Sequence, residues 1–190
     1  MLIDAEEEVA ISAKRVGEDV LIVVLAFLLL AFGVLMYLKY GHPPVAVADE
    51  PFPMEKKIVS LPLHARIDRE MKTPPFTASE AVFQTGAKTY VEECAVCHGT
   101  PGTDSIYAKS MYPTPPQLWK KHGSGVVGVS DDEPGETYWV IANGIRLTGM
   151  PAFKGDLDDQ KLWQIALLLH NADKPMPRPV VEILAGSNQQ

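Results

Sequence analysis

Cysteine is scarce in this chain. Only two occur among 190 residues, which excludes a disulfide-stapled scaffold. Positive charge is in deficit as well: 17 Lys+Arg against 24 Asp+Glu leave a formal net charge of −7. With no basic stripe to neutralise phosphates, a nucleic-acid-binding protein is excluded. Long apolar runs are limited to one, which excludes a multi-span membrane protein. Alternating apolar and polar stretches that would build a substantial sheet are missing, and so are internal repeats. Charged residues at 22% and hydrophobic residues at 46% are ordinary globular values, so the chain is not disordered as a whole.

The single apolar run is Val20–Leu38, 19 residues without a charge. As a helix it is about 28 Å long, close to a bilayer's hydrocarbon thickness of about 30 Å. Glu18, Asp19 and Lys39 bound it, and Tyr37 and Tyr40 sit where an interfacial aromatic belt belongs. The alternative is a cleaved signal peptide, for which Ala46-Val47-Ala48 supplies an A-x-A pattern. The run exceeds the apolar core of about 7–15 residues that signal peptidase substrates carry, and the Ala triplet lies far beyond it. The sequence therefore favours an uncleaved single-pass anchor over a chain cut after Ala48.

The rest divides by composition. Residues 1–19 form an acidic head and 20–40 the anchor. Residues 41–78 hold seven prolines (Pro43, Pro44, Pro51, Pro53, Pro62, Pro74 and Pro75), which oppose continuous helix and favour an extended tether. Within it Leu63–Lys72 has room for two helical turns, and the segment is either a spacer or a surface for a partner. Residues 79–173 have the pattern of a compact all-α unit. Ser79 is the expected N-cap of a helix running to about Cys97, Glu136–Asn143 a second helix closed by Gly144, and Asp159–Asn171 a third with Asp158 as N-cap. A stretch rich in proline and glycine, Gly99–Gly135, separates the first two. So long a loop in so small a domain points to a bound component that supplies apolar mass. The tail, 174–190, has three prolines, Pro175, Pro177 and Pro179, and little to pack.

Both cysteines fall in Cys94-Ala95-Val96-Cys97-His98, a C-x-x-C-H motif. Two thiols three residues apart at a helix end face the same way and bond the two vinyl groups of one porphyrin. The next residue then offers an imidazole to the iron. This is the pattern of covalent c-type haem attachment, with His98 as proximal ligand. A zinc site fits less well, because it needs four ligands and Cys94, Cys97 and His98 with a distant His122 match that poorly. A redox dithiol needs a βαβ setting that is absent. For the sixth iron position the best residue is Met150, in Thr148-Gly149-Met150-Pro151-Ala152-Phe153, where Gly149 and Pro151 pin the backbone around one thioether. Met111 competes from the proline-rich loop. His122 and His170 would give bis-histidine ligation; His170 is instead accounted for by its place at a helix C-terminus.

With Gly86-x-x-x-Tyr90 before the motif, Pro116-Gln117-Leu118 and Asn143-Gly144-Ile145 after it, and Met150-Pro151-Ala152-Phe153 beyond, residues 79–173 resemble a monohaem class I cytochrome c domain of the bacterial membrane-bound type. The resemblance implies an all-α fold around one covalent haem c, with first and last helices packed where Gly86 allows close approach and with Tyr90 near Ile165 and Leu168. It implies that the Pro116 carbonyl accepts a hydrogen bond from the His98 ring, and that Trp119 and Arg146 neighbour the haem propionates. It also implies assembly on the periplasmic side of the cytoplasmic membrane, so the anchor runs N-terminus in and C-terminus out.

The expected function is one-electron transport without enzymatic activity and without a small-molecule substrate, between a quinol-oxidising complex and a terminal acceptor in a respiratory chain. The alternative is a fixed haem subunit of a larger redox complex: an oxidase, a dehydrogenase or a photosynthetic reaction centre. A third class, a haem catalyst or gas sensor, requires that Met150 not bind iron.

Overall fold

The computed structural model describes residues 2–123 and 125–186, with the backbone alone for 2–13. Met1, Ser124 and residues 187–190, the last of which close the expected tail, lie outside the described residues. The chain divides into two units, Met1–Pro51 and Phe52–Gln190.

The first unit is dominated by α1 (Leu2–Tyr40). Its Lys14–Tyr40 portion, 27 residues, is long and apolar enough to cross a membrane, and none of its most apolar window is buried in protein. A helix that is apolar all round and unburied suits lipid, which supports a membrane anchor. The acidic head continues this helix without a break.

The second unit holds α2 (Glu55–Glu70), α3 (Glu80–Glu93), α4 (Ala95–His98), α5 (Pro134–Asn143), α6 (Asp159–His170) and α7 (Arg178–Gly186). No strand forms among the described residues, only isolated bridges such as Thr100 with Thr103.

The caps act where the sequence puts them. The Ser79 side chain accepts from the Val82 N–H at 3.3 Å, and Asp158 accepts from the Lys161 N–H at 2.8 Å. Gly144 ends α5 at φ +65°, where a Cβ would come within 2.8 Å of backbone of the Met150–Ala152 segment. The first helix does not run through to Cys97. It stops at Glu93, and the short turn α4 carries the motif.

The core is built chiefly where α3 meets α6. A Cβ on Gly86 would stand 2.5 Å from the Gln164 carbonyl oxygen, so the backbones touch there and only glycine fits. Tyr90, Ile165 and Leu168 are fully buried in the same apolar cluster. The Tyr90 hydroxyl donates to the Gly99 carbonyl at 2.7 Å, tying α3 to the residue just past the motif. Tyr138 stacks on Trp163 with ring centroids 4.1 Å apart, joining α5 to α6.

Two segments depart from expectation. Residues 55–70 form a 16-residue helix despite Pro62, where proline content predicts extended chain. Ile67 is buried, the Trp139 indole N–H donates to Glu70 at 2.9 Å, and the Arg66 guanidinium lies over the Trp139 ring. Packing against α5 thus offsets the backbone bond that Pro62 cannot make. The tail also packs: Val180 and Leu184, four apart on α7, are fully buried, and α7 lies against α3.

Candidate haem site

Residues 95–98 begin a new helical turn just after α3 ends. Cys94, at the junction, has φ −110° and a backbone N–H bonded to the Tyr90 carbonyl. This offset turns the motif away from the α3 axis. Cys94 is buried and Cys97 half-buried, and both are free thiols. Burial pushes the Cys94 thiol up to about 12, with the neighbouring Glu93 and Cys97 adding to the shift. A redox dithiol needs a depressed thiol, and this one is held neutral.

The His98 ring is oriented by a single contact: Nδ1 lies 2.8 Å from the Pro116 carbonyl oxygen. A carbonyl only accepts, so Nδ1 carries the proton and Nε2 keeps a lone pair for a metal. Burial lowers the ring's proton affinity, and the Pro116 bond opposes this in part. The neutral imidazole that a metal requires is the favoured form.

Met150 is held by a chain of local bonds. Thr148 Oγ1 donates to the Ile145 carbonyl at 2.7 Å and accepts from the Met150 N–H at 3.1 Å; the Ile145 N–H donates to the Met150 carbonyl at 3.2 Å. Leu147, at the tip, adopts φ +64° and is 89% exposed. A leucine in that conformation is strained, and the surrounding bonds hold it there. A Cβ on Gly149 would collide with the Met111 terminal methyl, so Met111 packs against the same loop.

These pieces meet in one cavity of about 420 Å³, whose wall includes Cys94, Cys97, His98, Pro116, Met111 and Met150. Most of the remaining wall is apolar, among it Leu118, Ile141 and Phe153. The donor set suits a haem: two thiols, a neutral imidazole and a thioether in an apolar hollow. His122 and His170 do not line it. His122 Nε2 faces the Gly128 carbonyl at 2.8 Å, and His170 Nδ1 the Asp132 carbonyl at 2.9 Å. No group of three or more metal-ligating His, Cys, Asp or Glu occurs among the described residues.

Trp119 and Arg146 are not in the cavity wall. Trp119 meets Tyr90 edge-on at 5.5 Å between centroids, with a buried indole N–H that has no partner among the described residues. Arg146 is exposed. Wall residues missed from sequence are Leu63, His64 and Ile67 on α2 and Thr137 on α5. The spacing of Leu63 and Ile67 was the available signal, masked by the prolines around it.

Residues 81–169 match the family model described as cytochrome c oxidase, cbb3-type, subunit III. No curated protein matches the sequence. The matched segment, the helical fold and the donor set agree: the domain is a c-type cytochrome domain, which implies covalent haem and electron transport, and the apolar helix that precedes it supports a membrane anchor.

Proposed function

We propose that this cytochrome is a single-haem, one-electron carrier fixed to the outer face of the cytoplasmic membrane, passing electrons from a quinol-oxidising complex to a terminal acceptor. The observation that carries the proposal is the presence of Cys94, Cys97, His98 and Met150 in the wall of one apolar cavity. Cys94 and Cys97 would hold the haem through thioether bonds, and His98 Nε2 and the Met150 sulfur would ligate its iron. The bound haem supplies a one-electron Fe(III)/Fe(II) couple.

The chain's own residues make that couple usable. Pro116 fixes the His98 tautomer and ring orientation, so Nε2 would be presented to the iron without reorganisation of the ring. The Ile145–Thr148 turn holds Met150 in place by three hydrogen bonds. The aliphatic wall excludes water, which favours the less charged, reduced centre. The buried Tyr90–Gly99 bond keeps the motif registered on the α3–α6 core.

A second reading has one observation in its favour. The matched family is named for an oxidase subunit, so the domain would sit as a fixed subunit in a larger redox complex. Gentle solubilisation separates the two: stoichiometric copurification with other redox subunits supports the fixed subunit, and a lone cytochrome the mobile carrier.

The haem assignment is tested by intact mass under denaturing conditions, on full chain made in a host with c-type maturation. One haem mass should stay on the chain and vanish in the Cys94→Ser/Cys97→Ser double variant. A wild-type chain that sheds its haem on denaturation, or carries two, contradicts the assignment.

A further inference from the structure

The cavity wall has a polar corner to which α2, a helix outside the matched segment, contributes one residue. His64 on α2, Asp132 just before α5, and Glu136 and Thr137 on α5 all line the cavity. His64 is close enough to both carboxylates to stabilise their charged forms. Elsewhere in the wall, side-chain donors are already committed. Thr114 donates to the Met111 carbonyl, Thr148 to the Ile145 carbonyl, and His98 Nδ1 to the Pro116 carbonyl.

Thr137 is different. It is 6% exposed, and its hydroxyl has no hydrogen-bond partner among the described residues. An unmet buried hydroxyl costs free energy unless something in the cavity accepts from it. The His64 ring is the other wall donor without a committed carbonyl. Trp119 Nε1 is unpartnered too, but it lies outside the wall, beside Tyr90.

A haem is apolar except for two carboxylates on the edge away from its thioether-forming vinyl groups. An apolar cavity with one corner of uncommitted donors has one place to put them. We propose that His64 and Thr137 together seat a haem propionate, so that α2 is part of the haem site of this cytochrome. This rests on the haem occupying the cavity, as inferred above.

The charges around the seat fit an added carboxylate only if protons are shared. Burial, with Asp131 and Asp132 as near neighbours, raises the proton affinity of Asp132 and Glu136 respectively. Asp68 on α2, Glu133, and the His64 and His122 rings also face this corner. A propionate bound here is held ionised by the Thr137 hydroxyl and the His64 ring.

The test is the reduction potential of the full-length, haem-loaded chain as a function of pH, with intact mass measured in parallel to report haem loading. In Thr137→Val and in His64→Ala the propionate loses a donor, so its inflection in the potential–pH curve should move up by about one pH unit. Thr137→Ser should restore the wild-type curve, and Thr114→Val, whose hydroxyl is committed, should not move it. Superimposable curves for wild type, Thr137→Val and His64→Ala, all loaded with haem, overturn the proposal. So does an inflection that disappears in Glu136→Gln, because it then belongs to that carboxyl. Should Thr137→Val lose its haem, Thr137→Ser decides: full loading with the wild-type curve supports the seat, and equal loss opposes it. Absence of haem from the wild-type chain would count against the cavity reading itself.

Discussion

His98 and Pro116 are 18 residues apart in sequence, yet the imidazole Nδ1 and the proline carbonyl oxygen stand 2.8 Å apart. That one bond orients a flexible side chain and leaves Nε2 as the ring's lone-pair nitrogen. His98→Ala should therefore leave the chain with little or no attached haem, and haem staining of a denaturing gel checks this. Full staining of the variant would mean that attachment does not need the imidazole.

The α3–α6 contact should be intolerant of even one methyl. Gly86→Ala places a carbon 2.5 Å from the Gln164 carbonyl. A cost of about 1–3 kcal/mol is expected from forcing the helices apart. The midpoint of denaturant unfolding of the soluble-side unit in the intact protein reads it.

The C-terminal helix belongs to the same core. Leu184 is 1% exposed. Leu184→Ala should destabilise by about 2–5 kcal/mol, the range for a buried leucine losing its side chain. An exposed neighbour on the same helix, Val181→Ala, should change the midpoint by much less.

Recognising α7 from sequence was hindered by length and punctuation. Nine residues that follow Pro177 and themselves contain Pro179 and Gly186 give too few turns for periodicity to stand out. The pair Val180 and Leu184 was the whole signal. For α2 the obstacle was Pro62, since the contacts that hold the helix, Ile67 in the wall and Trp139 on Glu70, come from residues more than sixty positions downstream. Nothing local encodes them. By contrast Ser79, Asp158 and Gly144 were legible because a cap depends only on its own turn. The Cys94–His98 motif stood out for the same reason: its spacing is a local pattern. The long stretch after it is organised by side chains reaching across the loop. Gln117 Nε2 donates to the Thr100 carbonyl at 2.8 Å and the Ser105 hydroxyl to the Val96 carbonyl at 2.6 Å, contacts that no periodic pattern announces.

Glu136 should impose a pH-dependent loss of stability. Its proton affinity in the folded protein is raised, chiefly by burial and then by Asp132. The folded state therefore binds this proton more tightly than the unfolded chain does. Stability from this group is present below the ordinary carboxylate value and is lost as pH rises through the raised one. Glu136→Gln should then raise the melting temperature of the haem-loaded protein at neutral pH, with the difference shrinking in acid. A difference that does not change with pH would mean that ionisation of Glu136 carries no cost.

Electron transport in this account depends on the Met150 sulfur completing the iron's coordination. The direct measurement is the reduction potential of Met150→Ala beside wild type and Met111→Ala, with the near-infrared spectrum of each oxidised protein. Loss of the thioether should lower the potential, because the preference for Fe(II) goes with it, and should abolish the methionine–iron charge-transfer band. Met111→Ala should keep both. An unchanged potential and band in Met150→Ala, or their loss in Met111→Ala, would contradict the assignment of Met150 as the distal ligand.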